Sequence, residues 1–143
     1  MNLSHILANK GQAVITTAPH RTLGEACTVL SEKGIGALVV TSADREVLGI
    51  LSERDIIRAL AKHGSAVLDQ AVSAFMTAKV VTATEHTSVT AAMEQMTDGR
   101  FRHMPIVNEG RLSGLISIGD VVKHRLELIE HEKQSMIDYI GTA

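Results

Sequence analysis

The stretch whose reading decides the fold is GILSERD, Gly49 to Asp55, together with its echo GLISIGD, Gly114 to Asp120, which starts 65 residues later and keeps Gly, Ser and Asp in the same places. Each reads as a strand end running into a helix start, because Ser followed three residues on by Asp, ahead of an apolar run, is the pattern of a capping box. The chain around the junction repeats as well. Val14-Ile-Thr-Thr17 matches Val80-Val-Thr-Ala83, Leu23 matches Val89, Ala26 matches Ala92, and Ala37-Leu-Val-Val40 matches His103-Met-Pro-Ile106, all at an offset of 66. The offset falls to 65 where TSADREVLG faces VNEGRLSG, polar turns that tolerate a change of length.

Each copy reads as a short β-branched run, a helix, two strands joined by a polar turn, and a second helix. In the first copy Thr22-Leu-Gly-Glu25 is a further capping box, followed by Leu23, Ala26, Cys27 and Leu30 on one helical face, which makes Cys27 a small core residue rather than a nucleophile. A copy of about 60 residues buries too little surface to stand alone. The expected fold class is therefore α+β: tandem β-α-β-β-α repeats packed sheet to sheet with pseudo-two-fold symmetry and clefts that come in pairs. The expected boundaries are 1–70 for the first copy with an N-terminal helix, 71–125 for the second copy, and 126–143 for a C-terminal helical extension.

The chain of 143 residues is 45% hydrophobic, enough for a core without staples, and its 14 basic and 16 acidic residues give a formal charge of −2. That balance argues against nucleic acid as a main partner. A single cysteine excludes an internal disulfide and the usual thiolate zinc sites. MNLSHILANKG lacks a signal-type apolar run, and no stretch approaches the ~20 apolar residues that span a bilayer. The expectation is a cytoplasmic protein with no membrane partner. With only Phe75, Phe101 and Tyr139 as aromatics, a flat ligand must be gripped mainly by aliphatic side chains.

The junctions admit two readings. Ser52 with Asp55, and Ser117 with Asp120, can simply cap their helices. They can also serve a ligand, since a helix N-terminus offers free amides and a carboxylate can accept from the vicinal hydroxyls of a sugar. A phosphate beside that carboxylate would be repelled, so it must reach cations elsewhere. Arg100-Phe-Arg-His103 supplies them in the second copy, although strand alternation separates Arg102 from Phe101 and His103. Gly34-Ile-Gly-Ala37 occupies the same place in the first copy, so the two clefts should differ.

Through these residues the chain resembles the CBS (cystathionine β-synthase) domain pair, or Bateman module, over roughly Ala13 to Val122. The resemblance implies a regulatory, non-catalytic module with adenosine-containing ligands such as AMP, ADP, ATP, NAD or S-adenosylmethionine in clefts between the copies, and no catalytic cofactor. It implies ribose contacts at Asp55 and Asp120, help from Ser52 and Ser117, and phosphate contacts at Arg102 and His103. It implies adenine contacts near Gln12, Ile35 and Ala37 in one cleft and near Ala78, Phe101 and Leu51 in the other, with Ile116 in the same set. Gly36 and Ala37 replace the basic pair in the first copy, where Arg54 and Lys79 are the candidate substitutes.

From Val121 to Ile140 no Pro or Gly intervenes, and Val122, Leu126, Ile129, Met136 and Ile140 follow a 4-3 spacing broken by Lys133. Such a helix packs on its own module or crosses to a second copy; CBS pairs resemble one another in often forming disc-like homodimers, so a homodimer is expected beside an unidentified regulated protein. His124, Glu127 and His131 share a spacing compatible with metal ligation but have no completing ligands, and no metal is assigned. The competing functions are a structural dimerisation module with empty clefts and, last, a nucleotide-processing enzyme using His103.

Overall fold

The computed structural model describes residues 1–142. Helix α1 spans Leu3–Lys10, strand β1 Thr16–Thr17, helix α2 Leu23–Lys33, strand β2 Ala37–Thr41, strand β3 Val47–Ser52 and helix α3 Glu53–His63. Two short 3-10 turns, Ser65–Asp69 and Val72–Ala74, lead into the second copy: helix α4 Val89–Gly99, strands β4 His103–Asn108 and β5 Arg111–Ser117, and helix α5 Ile118–Thr142. The architecture is the expected α+β repeat. β1 lies parallel to β2 and β2 antiparallel to β3, while β4 and β5 form the second, two-stranded sheet.

The internal repeat holds at the level of register. Ala37 pairs with Ser52 and His103 with Ser117, Val40 with Gly49 and Ile106 with Gly114, and both sheets bulge at the next residue, between Val40 and Thr41 and between Ile106 and Val107. Thr22 and Ser88 cap α2 and α4 by accepting from Glu25 and Ala91 amides. The second copy lacks a full first strand. Only Ala83 bridges Ile106, through Ala83 N–H to the Pro105 carbonyl and Val107 N–H to the Ala83 carbonyl. Pro105 stands where Val39 continues the first ladder, and a proline has no N–H to extend it.

Two cores form, and each is covered by a segment that leads into the opposite copy. The first core joins Leu23, Ala26, Leu30, Leu38, Val40, Leu51 and Ile56 with Val67 and Val72 from the 3-10 turns that precede the second copy. The second joins Met96, Met104, Ile106, Ile116 and Val121 with Leu3, Ile6 and Leu7 of α1, which precedes the first copy. By chain position α1 goes with the first copy; by packing it goes with the second. This exchange is reciprocal, as an approximate two-fold requires. Cys27 is half-buried against the first core.

The exchange explains two glycines. A methyl on Gly49 would lie 2.7 Å from Met76 Sδ and 2.8 Å from the Thr77 carbonyl oxygen, and one on Gly114 would lie 2.9 Å from a Leu7 methyl. At both places the visiting segment crosses the sheet too closely for a side chain.

Candidate ligand cleft at the first junction

Ser52 ends β3 and caps α3. Its N–H donates to Asp55 Oδ2 at 2.9 Å, its hydroxyl lies 3.1 Å from the same oxygen, and the Asp55 N–H donates to Ser52 Oγ at 3.3 Å. The capping box is therefore real, and its contacts to the carboxylate all use Oδ2. A carboxylate has a second oxygen and about four lone-pair sites, so capping does not exclude a ligand.

Beside this junction lies an open cleft of about 510 Å³. One wall is Ile50, Ser52, Glu53, Arg54, Asp55, Ile57 and Arg58; the second is Thr77, Lys79, Val80 and Val81; the third is the α4–β4 connection, Gly99 to His103, with Gly36 between. Five cationic side chains, Arg54, Arg58, Lys79, Arg100 and Arg102, face two carboxylates, Glu53 and Asp55. Ile57 and Val81 are exposed at its rim, so the lining is apolar as well as basic. A cavity of this size, with apolar walls and a few convergent polar groups, is of the kind that holds a small molecule.

Strand alternation did not apply to Arg100–His103. β4 begins only at His103, and Arg100 has left-handed backbone angles (φ 56°, ψ 39°) at the end of α4, so all four residues of the segment reach the cleft. The His103 pKa is held below its usual 6.5, chiefly by burial and then by the charges of Lys10 and Arg102, against the opposing pull of Asp120 and Glu53. The shift favours the neutral imidazole.

The second junction repeats the capping geometry: Ser117 N–H donates to Asp120 Oδ2 at 2.8 Å and Asp120 N–H to Ser117 Oγ at 3.1 Å. Here Lys10 adds its ammonium to Asp120 Oδ2 and, at 2.8 Å, to the Leu115 carbonyl. Burial pushes the Asp120 pKa up, but the Lys10 and Ser117 hydrogen bonds outweigh it and hold the carboxyl below its usual value.

Of the residues singled out from sequence, Gly36, Ser52, Arg54, Asp55, Lys79, Phe101, Arg102 and His103 meet around this one cleft. Ser117 and Asp120 lie at the other junction. Leu51 and Ile116 are fully buried in the two cores and Ala37 is buried in β2, and none of the three lines the cleft. Alternation from Ser52 selects Ile50, not Leu51. Ile35 packs against the first core, Gln12 donates to Glu85, and Ala78 is exposed between two lining residues without lining the cleft itself.

Ile50, Glu53, Ile57, Arg58, Thr77, Val80, Val81 and Gly99 line the cleft without standing among the sequence candidates, while Arg100 joins it from the basic segment already named; helical spacing from Arg54 to Ile57 and Arg58 was the available signal. Glu53 fits because Gly36 is bare: a methyl there would sit 2.6 Å from Glu53 Oε1. Among the described residues no cluster of three or more His, Cys, Asp or Glu forms a metal site. His124 is buried with Nε2 unpartnered while Glu127 and His131 are exposed, so the three do not act together. No described helix is long and apolar enough to cross a membrane.

The sequence model for the CBS domain matches residues 10–62 and 72–127. Among solved structures, a CBS-domain protein from Agrobacterium tumefaciens is 48% identical, with a TM-score of 0.84 over 87% of this chain and 99% of that one. A CBS domain protein from Pyrobaculum aerophilum, complexed with AMP, is 28% identical with a TM-score of 0.79 over 91% and 97%. A mitochondrial CBS domain-containing protein of Arabidopsis thaliana is 31% identical over 96% of this chain and 71% of its own length.

Proposed function

This chain belongs to the CBS domain family, and from that premise we propose that it is a cytoplasmic, non-catalytic regulatory module. It takes an adenosine-containing nucleotide, of the AMP, ADP, ATP or NAD kind, into the cleft at Asp55 and signals the bound state to a partner protein. The observation that carries the reading is convergence: a capped carboxylate with one oxygen to spare, apolar side chains and five cations surround a single cavity.

In this reading Asp55 accepts from the ribose hydroxyls through Oδ1. Ile50, Val80, Val81 and Phe101 supply the apolar surface for the base. Arg102 and Lys79 take the phosphate, and neutral His103 contributes a hydrogen bond rather than a charge. The Pyrobaculum relative with AMP supports the ligand class. Regulation requires that the ligand favour one shape or complex over another, and the differential contacts reside in the three walls, which come from both copies.

Thermal melting against adenine nucleotides tests the reading. Ligand at ~100 times its Kd adds roughly 2.7 kcal/mol, a shift of several degrees in a domain of this size. The shift disappears in Asp55→Asn, which can still accept from Ser52 N–H and so spares much of the capping box. Full retention of the shift in that variant overturns the ribose role. Incubation with ATP and NAD followed by chromatography is expected to return both unchanged; turnover lost in His103→Ala would replace the regulatory reading with the enzymatic one.

A further inference from the structure

We propose that Arg100 makes the cleft selective for a polyphosphate-bearing nucleotide over a monophosphate, an inference that rests on the nucleotide reading of the same cleft. The starting observation is a backbone choice. α2 and α4 end alike: Gly34 at φ 63°, ψ 39° donates to the Leu30 and Ser31 carbonyls, and Arg100 at φ 56°, ψ 39° donates to those of Met96 and Thr97. Glycine is the relaxed residue for this left-handed position, and a long side chain there is strained. The first copy uses the relaxed solution; the second departs from it with a guanidinium.

The departure coincides with the cleft. Arg100 lines it and Gly34 does not. Gly99 precedes it, and a methyl on Gly99 would lie 2.5 Å from the Phe101 ring, so the ring folds back over the helix end just where the chain turns into the cleft. Strain held at a ligand-facing position points to a role for the side chain, since the backbone job alone needs none.

Charge gives the role its chemistry. With Asp55 turned to the ribose and still charged, the cleft presents five cations against the two carboxylates Glu53 and Asp55, a surplus of positive charge. A monophosphate dianion is matched by Arg102 and Lys79. Arg100, two residues before Arg102 on the same wall, is then left for a second or third phosphoryl group, which a guanidinium binds through paired N–H donors.

Calorimetric titration with AMP and with ATP in EDTA, on the wild type and on Arg100→Gly, tests this. ATP is expected to bind more tightly than AMP to the wild type. Arg100→Gly is expected to lose about tenfold in ATP affinity, the scale of one charged hydrogen bond, while AMP affinity stays within about twofold. The ligand-free melting point of Arg100→Gly stays level or rises, which shows that the loss is not unfolding. AMP binding without an ATP preference, or equal loss of both ligands in the variant, overturns the selectivity and leaves the nucleotide reading standing. Absence of binding by either ligand overturns both.

Discussion

The ammonium of Lys10, the last residue of α1, donates to Oδ2 of Asp120 at 2.5 Å and so sits at the junction that mirrors Ser52 and Asp55. Its second acceptor is the Leu115 carbonyl, whose counterpart in the first copy, the Ile50 carbonyl, accepts instead from the Thr77 N–H at 2.8 Å. The two visiting segments thus satisfy the same carbonyl by different means. Near Thr77 the chain is extended and bridges β3, leaving Asp55 open to the cleft; α1 stays helical to Lys10 and delivers a cation onto Asp120.

One nucleotide per chain is therefore expected, bound at Asp55. Lys10→Met removes the internal occupant of the second junction and should raise the calorimetric stoichiometry toward two. A wild-type stoichiometry of two would show that Lys10 does not keep a nucleotide from the second junction. The pair is partly exposed, so its loss should lower stability by only ~0.2–1 kcal/mol.

The Asp120 and His103 carboxyl and imidazole both have folded pKa values below their ordinary ones, so in both cases the unfolded chain binds more protons and stability rises with pH. The windows differ. His103 contributes stability above its usual 6.5 that is lost as pH falls below it, and Asp120 contributes stability above its usual 3.8 that is lost in stronger acid. Urea unfolding at pH 7.5 and 5.5 should show lower stability at the acid value, with a smaller difference in Lys10→Met, because Lys10 is the leading charge that lowers the His103 pKa. An unchanged difference in that variant would remove Lys10 as a cause.

Much of this was legible in the chain. The 66-residue repeat predicted two matching ladders, and the ladders match down to the bulge. The repeat could not show that α1 and the 3-10 turns trade places, because apolar residues such as Leu3, Leu7 and Val67 announce burial but not the core that receives them. The cleft was half legible: the S-x-x-D motif located Asp55, while Arg100 entered through a left-handed turn that a strand reading of Arg100–His103 overlooks. Lys10 was invisible for the same reason as α1, since a contact between residues 10 and 120 depends on the exchange.

That exchange predicts unequal effects of two equivalent substitutions. Gly49→Ala drives a methyl into both Met76 Sδ and the Thr77 carbonyl, which is fixed by its bridge to Ile50, so the backbone must shift. Gly114→Ala meets chiefly the end of the Leu7 side chain, which can turn away. The expected loss for Gly49→Ala is about 1–3 kcal/mol, with a clearly smaller one for Gly114→Ala, measured as urea midpoints at equal slope. Equal losses would mean that the two crossings are equally rigid.

Helix α5 carries the last prediction. Val121 and His124 face the module and are buried, while Val122, Leu126, Ile129, Met136 and Ile140 lie on a different side and are exposed, Met136 and Ile140 at 66% and 69%. A 4-3 stripe left bare along a 25-residue helix has the spacing of the seam of a two-helix coiled coil. In parallel pairing, Arg125 of one copy lies at a flanking position opposite Glu130 of the other, an attractive match, and Lys133 is the single polar residue in the seam. The chain is therefore expected to dimerise through α5, and light scattering behind size exclusion should give twice the monomer mass of 15.3 kDa. Leu126→Glu with Ile129→Glu places four carboxylates in the seam and should give monomers that keep their circular dichroism and their nucleotide-induced melting shift. A dimer that survives this double change is held elsewhere on the module, and the stripe on α5 then has no part in it.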